Sequence, residues 1–201
     1  MDSKFKLIVD SFGKDRFKFD EQIKDYTALN VGGPAKLFFI AFTTAEIIKI
    51  VGMCRQLKLP YFLFGTGSKM MISDNGFDGL VIKNRTKNIH VVSVKGKATR
   101  FGIGVDEALI EVESGVSINK MVEFLDSQGL SSAGLEGMQG SVGGNVIFSR
   151  FLQTKAKSIK VYTLDPDRIG VEGEVDEIEA TTLSPKKHMI LSAVFRIKAK
   201  S

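Results

Sequence analysis

The sequence predicts an α+β fold of two lobes, on three observations. A capped amphipathic helix signal over residues 43–57 lies between short apolar runs, strand signals dominate from His90 onward, and glycine gathers in one segment of each half. The division falls near residues 84–88, making residues 1–86 the first lobe and residues 87–201 the second.

Residues 1–25 are mixed and charged, and they read only as the edge of a lobe. Lys36–Phe42 is apolar and rich in aromatics, hence a strand. Thr43 and Glu46 make a capping box, which opens a helix carrying Ile47, Ile50, Val51, Cys54 and Leu57 on one face. Pro60 ends that helix, and the strand Tyr61–Phe64 leads into Gly65-Thr66-Gly67-Ser68. Asp74-Asn75-Gly76 is a turn before a strand at Leu80–Lys83.

In the second half, strands are expected at Ile89–Val94, Thr99–Ile103 and Ala108–Glu113, with Gly96 and Gly104 as punctuation. A helix covers Ile118–Ser127, its apolar side formed by Ile118, Met121, Val122 and Leu125, with Gly129 as its C-cap. The second glycine segment, Gly134–Gly144, comes next. A strand at Ile159–Leu164, a turn at Asp165-Pro166-Asp167 and a last strand at His188–Ile197 complete the chain, which shows no internal repeat.

With 201 residues, 43% of them hydrophobic, the chain can bury an ordinary core. Its net charge of +5 is a mild excess, and the basic groups at Lys155–Lys160, Lys186-Lys187 and Arg196–Lys200 are scattered. Nucleic-acid binders gather such charge on one face, so solvated strand ends are the better reading. The single cysteine, Cys54, has no partner for an internal disulfide and falls on the apolar side of its helix. His90 and His188 lie in strand patterns without metal-ligand spacing or a neighbouring acid, which favours sheet or surface roles. Glu107, Glu111, Glu113 and Glu123 fall where solvated faces are expected. Neither a signal peptide nor a membrane span is visible, so a cytoplasmic protein is expected, without nucleic-acid or membrane partners.

The glycine segments carry the chemistry. Without a Cβ, backbone N–H groups approach a ligand closely, and successive N–H groups in such turns make anion-binding concavities. Gly65-x-Gly67 alone is a weak signal, because it lacks the third glycine of the dinucleotide fingerprint and matches no P-loop. Five glycines within Gly134–Gly144 are more specific, since each loses extra entropy on ordering. Ser68 and Ser141 could each donate a hydroxyl to a phosphate or satisfy their own turns. Two such segments, one per lobe, suggest a dinucleotide diphosphate gripped from both sides in an interlobe cleft.

Four motifs occur in order: Thr27-Ala28-Leu29-Asn30-Val31-Gly32-Gly33-Pro34-Ala35, Gly65-Thr66-Gly67-Ser68-Lys69, Ser73-Asp74-Asn75-Gly76-Phe77-Asp78-Gly79 and Gly140-Ser141-Val142-Gly143-Gly144. Together they resemble the UDP-N-acetylenolpyruvoylglucosamine reductase (UDP-N-acetylmuramate dehydrogenase) family of peptidoglycan biosynthesis, over about residues 25–147. The resemblance implies a two-lobed FAD-binding fold of the PCMH type, shared with vanillyl-alcohol oxidase, with FAD in the cleft. It also implies flavin reduction by NADPH and hydride transfer to an enolpyruvyl double bond. Flavin contacts are then expected from Phe64, Gly65, Thr66, Gly67, Ser68, Lys69 and Met70. The second segment would contribute Gly134, Met138, Gly140, Ser141, Val142, Gly143, Gly144 and Asn145.

The chain departs from the family pattern at several places. Lys69 replaces an asparagine, Met138-Gln139 replaces isoleucine-proline, and Asn145 and Phe148-Ser149-Arg150 follow the second motif. The stretch Glu179–Pro185, where the family carries a catalytic arginine, has none, and the family's serine proton donor and late glutamate have no counterpart before Ser201. The expectation is therefore a flavin-binding unit without its own catalytic residues, metal-free and not a competent reductase alone. Two alternatives stand beside it: an NAD(P)H-linked flavin oxidoreductase completed by a partner chain or homodimer, and a cofactor-free interaction module.

Overall fold

The computed structural model describes residues 3–68, 70, 72–100, 102–165 and 172–200. Among these the strands form two sheets, one ordered β1-β2-β4-β3 and one ordered β5-β6-β9-β7-β8.

The first sheet comprises β1 (Phe17–Gln22), β2 (Pro34–Ala41), β3 (Tyr61–Phe64) and β4 (Phe77–Asn84). β1 runs antiparallel to β2, whereas β2 and β3 each run parallel to β4. β2 and β3 flank β4 on opposite sides, and helix α2 (Thr44–Gln56) carries the chain across the sheet from one to the other. Thr43 caps this helix as its sequence requires: the Glu46 N–H donates to Thr43 Oγ1 (3.1 Å) while Glu46 Oε2 accepts the Phe42 N–H (2.7 Å). Ile47, Ile50, Val51 and Cys54 are buried with Leu37, Phe39, Leu80 and Ile82 of the sheet. An N-terminal helix, α1 (Ser3–Phe12), adds Phe5, Ile8 and Val9 to the same core.

The second sheet is antiparallel throughout, from β5 (Ile89–Thr99) and β6 (Gly102–Glu113) to β9 (His188–Lys198), β7 (Ala156–Thr163) and β8 (Glu174–Ile178). Alternate residues Ala108, Ile110 and Val112 of β6, Ile159 and Val161 of β7, and Ala193 and Phe195 of β9 share one buried cluster. Helices α3 (Ile118–Ser127), α4 (Val142–Phe148) and α5 (Arg150–Lys155) cover it with Met121, Leu125, Val146 and Leu152. Tyr162 and Leu191 leave this sheet to join the core of the first one, which packs the two lobes together.

Several expectations need correction. Thr99–Ile103 is not a strand of its own: β5 and β6 are two long strands that reverse there, with Thr99 paired to Gly102. Gly96 and Gly104 lie inside these strands, and a register shift between Lys95 and Gly96 absorbs the irregularity. Residues 1–25 hold α1 and β1, the tail of the second glycine segment is the helix α4 with α5 after it, and β8 lies between β7 and β9 in the chain; none of these was anticipated. Pro166 and Asp167 of the expected turn lie outside the described residues.

Candidate functional site

The two glycine segments meet. β3 ends at Phe64, and the turn Gly65–Ser68 leaves its C-terminal edge toward the second lobe. Gly67 takes φ +75, and a Cβ there would run into the carbonyl of Tyr26. At Gly65 the obstacle comes from the other lobe, because a Cβ would fall on the Ser141 side chain. Backbone therefore approaches side chain across the lobe junction at a spacing only glycine permits.

The second turn is held from below. The Ile118 N–H donates to Gly140 O (3.0 Å), Val142 N–H to Val116 O (2.7 Å) and Gly143 N–H to Ser114 O (2.9 Å). Asn145, buried in α4, donates from Nδ2 to Gln139 O (2.9 Å) and Ser141 O (3.0 Å), clamping the turn to the helix that follows. Ser141 also caps α4, its Oγ accepting from the Gly144 N–H, so this serine satisfies its own turn. Ser68 Oγ instead stands 3.1 Å from Thr66 Oγ1.

With those groups committed, another set of donors is left over. The main-chain N–H groups of Thr66, Gly67, Ser68, Gly140 and Ser141 have no acceptor among the described residues. They belong to the two turns that border one cleft of about 630 Å³, a volume suited to a large cofactor. Buried amides are normally paired, and Gly67 and Ser141, one from each lobe, are buried, so their open amides favour an acceptor-rich ligand.

Charge agrees with this reading. Among the described residues no Asp or Glu lines the cleft, while Lys186, Lys187 and His188 do, from the connection into β9. His188 Nδ1 accepts the Ser184 N–H at 3.1 Å, which leaves Nε2 to carry the proton of the neutral ring. Asn84 and Ser114 also face the cleft, joined by a buried hydrogen bond of 2.9 Å from Asn84 Nδ2 to Ser114 Oγ. That bond ties the end of β4 to the second lobe. Behind Phe64, the Lys83 ammonium stands 5.4 Å from its ring and 4.7 Å from that of Tyr26. Burial lowers the Lys83 pKa, aided by the nearby Arg85 charge.

Of the residues expected to contact a flavin, Phe64, Gly65, Thr66, Gly67, Ser68 and Met70 line this cleft, as do Gly140, Ser141, Gly143, Gly144 and Asn145. Gly134 stands apart against the Phe151 ring, Met138 packs on the second-lobe core, and Val142 is buried within that core. Lys69 lies outside the described residues. The wall formed by Lys186, Lys187 and His188 was read from sequence as scattered surface charge and a strand histidine. Only the pairing of β9 with β7 brings it here.

No cluster of three or more His, Cys, Asp or Glu side chains placed to hold a metal ion occurs among the described residues. Nor is any helix among them long and apolar enough to cross a membrane.

Comparison with known proteins identifies the family. Residues 35–149 match the family described as the FAD binding domain. A UDP-N-acetylenolpyruvoylglucosamine reductase of Syntrophomonas wolfei is 30% identical over 148 residues, covering 72% of this chain and 45% of the relative. UDP-N-acetylenolpyruvoylglucosamine reductase 1 of Bacillus cereus is 33% identical over 139 residues, covering 65% of this chain and 40% of its own. The chain thus spans less than half the length of these relatives. Among solved structures, the UDP-N-acetylenolpyruvylglucosamine reductase of Thermus caldophilus superposes with a TM-score of 0.60 at 23% identity, over 90% of this chain and 62% of that one. p-Cresol methylhydroxylase superposes equally well (TM-score 0.60, 14% identity) over 100% of this chain and 44% of its own, which shows the shared PCMH-type fold. The chain belongs to the FAD binding domain family, in its branch related to the UDP-N-acetylenolpyruvoylglucosamine reductases, and its cofactor is FAD.

Proposed function

We propose that these 201 residues are the flavin-holding part of a reductase acting on UDP-N-acetylenolpyruvoylglucosamine, with the FAD diphosphate between the two glycine turns. The observation that carries this reading is the set of amides at Thr66, Gly67, Ser68, Gly140 and Ser141 around one cleft, amides without an acceptor among the described residues. Bound FAD supplies reversible hydride transfer, and the protein supplies position and electrostatics. Thr66–Ser68 and Gly140–Ser141 would hold the diphosphate with main-chain donors, which cost no reorganisation because both turns are already braced. Asn145 keeps the second turn in place, and the Asn84–Ser114 bond keeps the lobes at the spacing the cofactor needs.

Among the described residues, none that lines the cleft is a carboxylic acid or an arginine. General acid catalysis typically contributes about 10²–10⁴-fold. A polypeptide of these 201 residues is therefore expected to bind FAD yet to reduce UDP-N-acetylenolpyruvoylglucosamine far below the rate of its longer relatives. Purified protein should show visible flavin absorbance, and titrated FAD should lose fluorescence on binding. A colourless preparation that takes up no added FAD would defeat the binding assignment. Full turnover with NADPH would defeat only the second statement.

A further inference from the structure

The two edges of the second sheet are unlike in a way that points to a partner. β5 is one edge and β8 the other. β9 pairs with β6 only between Glu107 and Glu113, so Gly96–Thr99 and Gly102–Val105 run on as a two-stranded arm. Such ribbons are marginal alone in water. This one exposes Ile103 (89%) and Val105 (44%), and the edge strand leading into it exposes Val94 (56%) and Val92 (50%).

Charge differs sharply between the edges. β5 and its turn carry Lys95, Lys97 and Arg100 and no acid. β8 carries Glu174, Asp176 and Glu177 and no base, with Glu172 and Glu179 flanking it and Val175 51% exposed. Among the described residues Lys97, Arg100, Glu174 and Glu177 have no ion-pair partner, and Lys95 reaches Asp106 only at 3.8 Å. Pairing β5 with β5, or β8 with β8, sets like charges face to face, the usual guard against edge association. Pairing β5 with β8 does the reverse.

We propose that this chain associates head to tail, the β8 edge of one copy adding to the β5 edge of another. The added strand satisfies open backbone groups on both edges, sets lysines against glutamates and covers exposed valines. Since β8 has only five residues, the contact is small, weak and strongly dependent on ionic strength. A heterologous contact of this kind leaves a free edge at each end, so assemblies grow with concentration instead of stopping at a dimer.

Sedimentation equilibrium of the FAD-loaded chain tests this. At low salt the average mass should climb above the 22.1 kDa monomer as concentration rises, and return to it in high salt. Lys95→Glu/Lys97→Glu and Glu174→Lys/Glu177→Lys should each remain monomeric. An equimolar mixture of the two should associate again, as should the chain carrying all four changes, a recovery that misfolded variants could not show. Monomeric mass for the native chain at every salt and concentration would overturn the proposal. So would association that survives either double substitution, or a mixture that stays monomeric.

Discussion

Gly65 is the residue on which the site turns. Its backbone lies so near the Ser141 side chain of the other lobe that an added Cβ would overlap both Ser141 Cβ and Oγ. Overpacking of this sort costs about 1–3 kcal/mol, and here it also prises apart the turns that border the cleft. Gly65→Ala should lower FAD affinity at least tenfold, each tenfold being about 1.4 kcal/mol, while leaving far-UV circular dichroism unchanged. Unaltered affinity by fluorescence titration would show that the two turns do not share one ligand. Cys54 makes the opposite kind of test, because it touches no ligand. Burial pushes its thiol from 9.0 up to about 12. An acid whose folded pKa is raised loses stability for the fold as pH climbs from the unfolded value toward the folded one. Native protein should thus resist thiol reagents at about pH 8 until it unfolds, since the thiolate is the reactive form. Cys54→Ala should flatten the fall in stability above pH 9.0, measured by urea titration across that range.

At the scale of elements, α2 shows how local chemistry becomes tertiary structure. Glu46 closes the capping box with Thr43 and also accepts a hydrogen bond from Arg16 at 2.8 Å, fastening the helix to the start of β1. Partial burial by itself raises the Glu46 pKa, but the Phe42 N–H and Arg16 overcome it and hold the carboxyl below its ordinary value of 4.5. A depressed carboxylate contributes stability above its unfolded pKa and loses it as pH falls through the folded one. Glu46→Gln should cost about 0.5–2 kcal/mol at neutral pH and flatten the acid limb below pH 4.5, as read by denaturant midpoints. This helix was legible because its cap and its apolar stripe agree, and α3 was legible for the same reason. α4 was not, since Gly143 and Gly144 argue against helix at about 1 kcal/mol each. It forms because Ser141 caps it and because Gly143 packs on Ser114 with no room for a Cβ. α1 does carry a helical stripe of Phe5, Ile8, Val9 and Phe12, but ten residues give too short a signal to stand alone. Nor does anything local in Lys186-Lys187-His188 tell which cleft it borders. That follows from β9 lying between β6 and β7, a long-range pairing.

At the scale of the molecule, contacts on both sides of the second sheet join the lobes. Near the cleft, Asn84 and Ser114 bond across the junction, and on the far side of the second sheet Tyr162 and Leu191 sit in the first lobe's core. The Tyr162 ring is 2% exposed, and its hydroxyl accepts the Gly173 N–H at 2.9 Å, so it is anchored at both ends. With so much core shared, unfolding of the FAD-free chain should be a single cooperative transition. Removing the ring should uncouple the lobes: Tyr162→Ala is expected to cost about 3–5 kcal/mol and to split the calorimetric peak in two. On the proposed placement, FAD would join them again, because a ligand held by amides of both turns binds only when both are in place. At about 100 times its dissociation constant it should add about 2.7 kcal/mol. For a chain of this size that corresponds to a rise in Tm of roughly 5–10 °C. In Tyr162→Ala the two peaks should merge on adding FAD, whereas a ligand seated on one lobe alone would raise one peak and leave the other where it was.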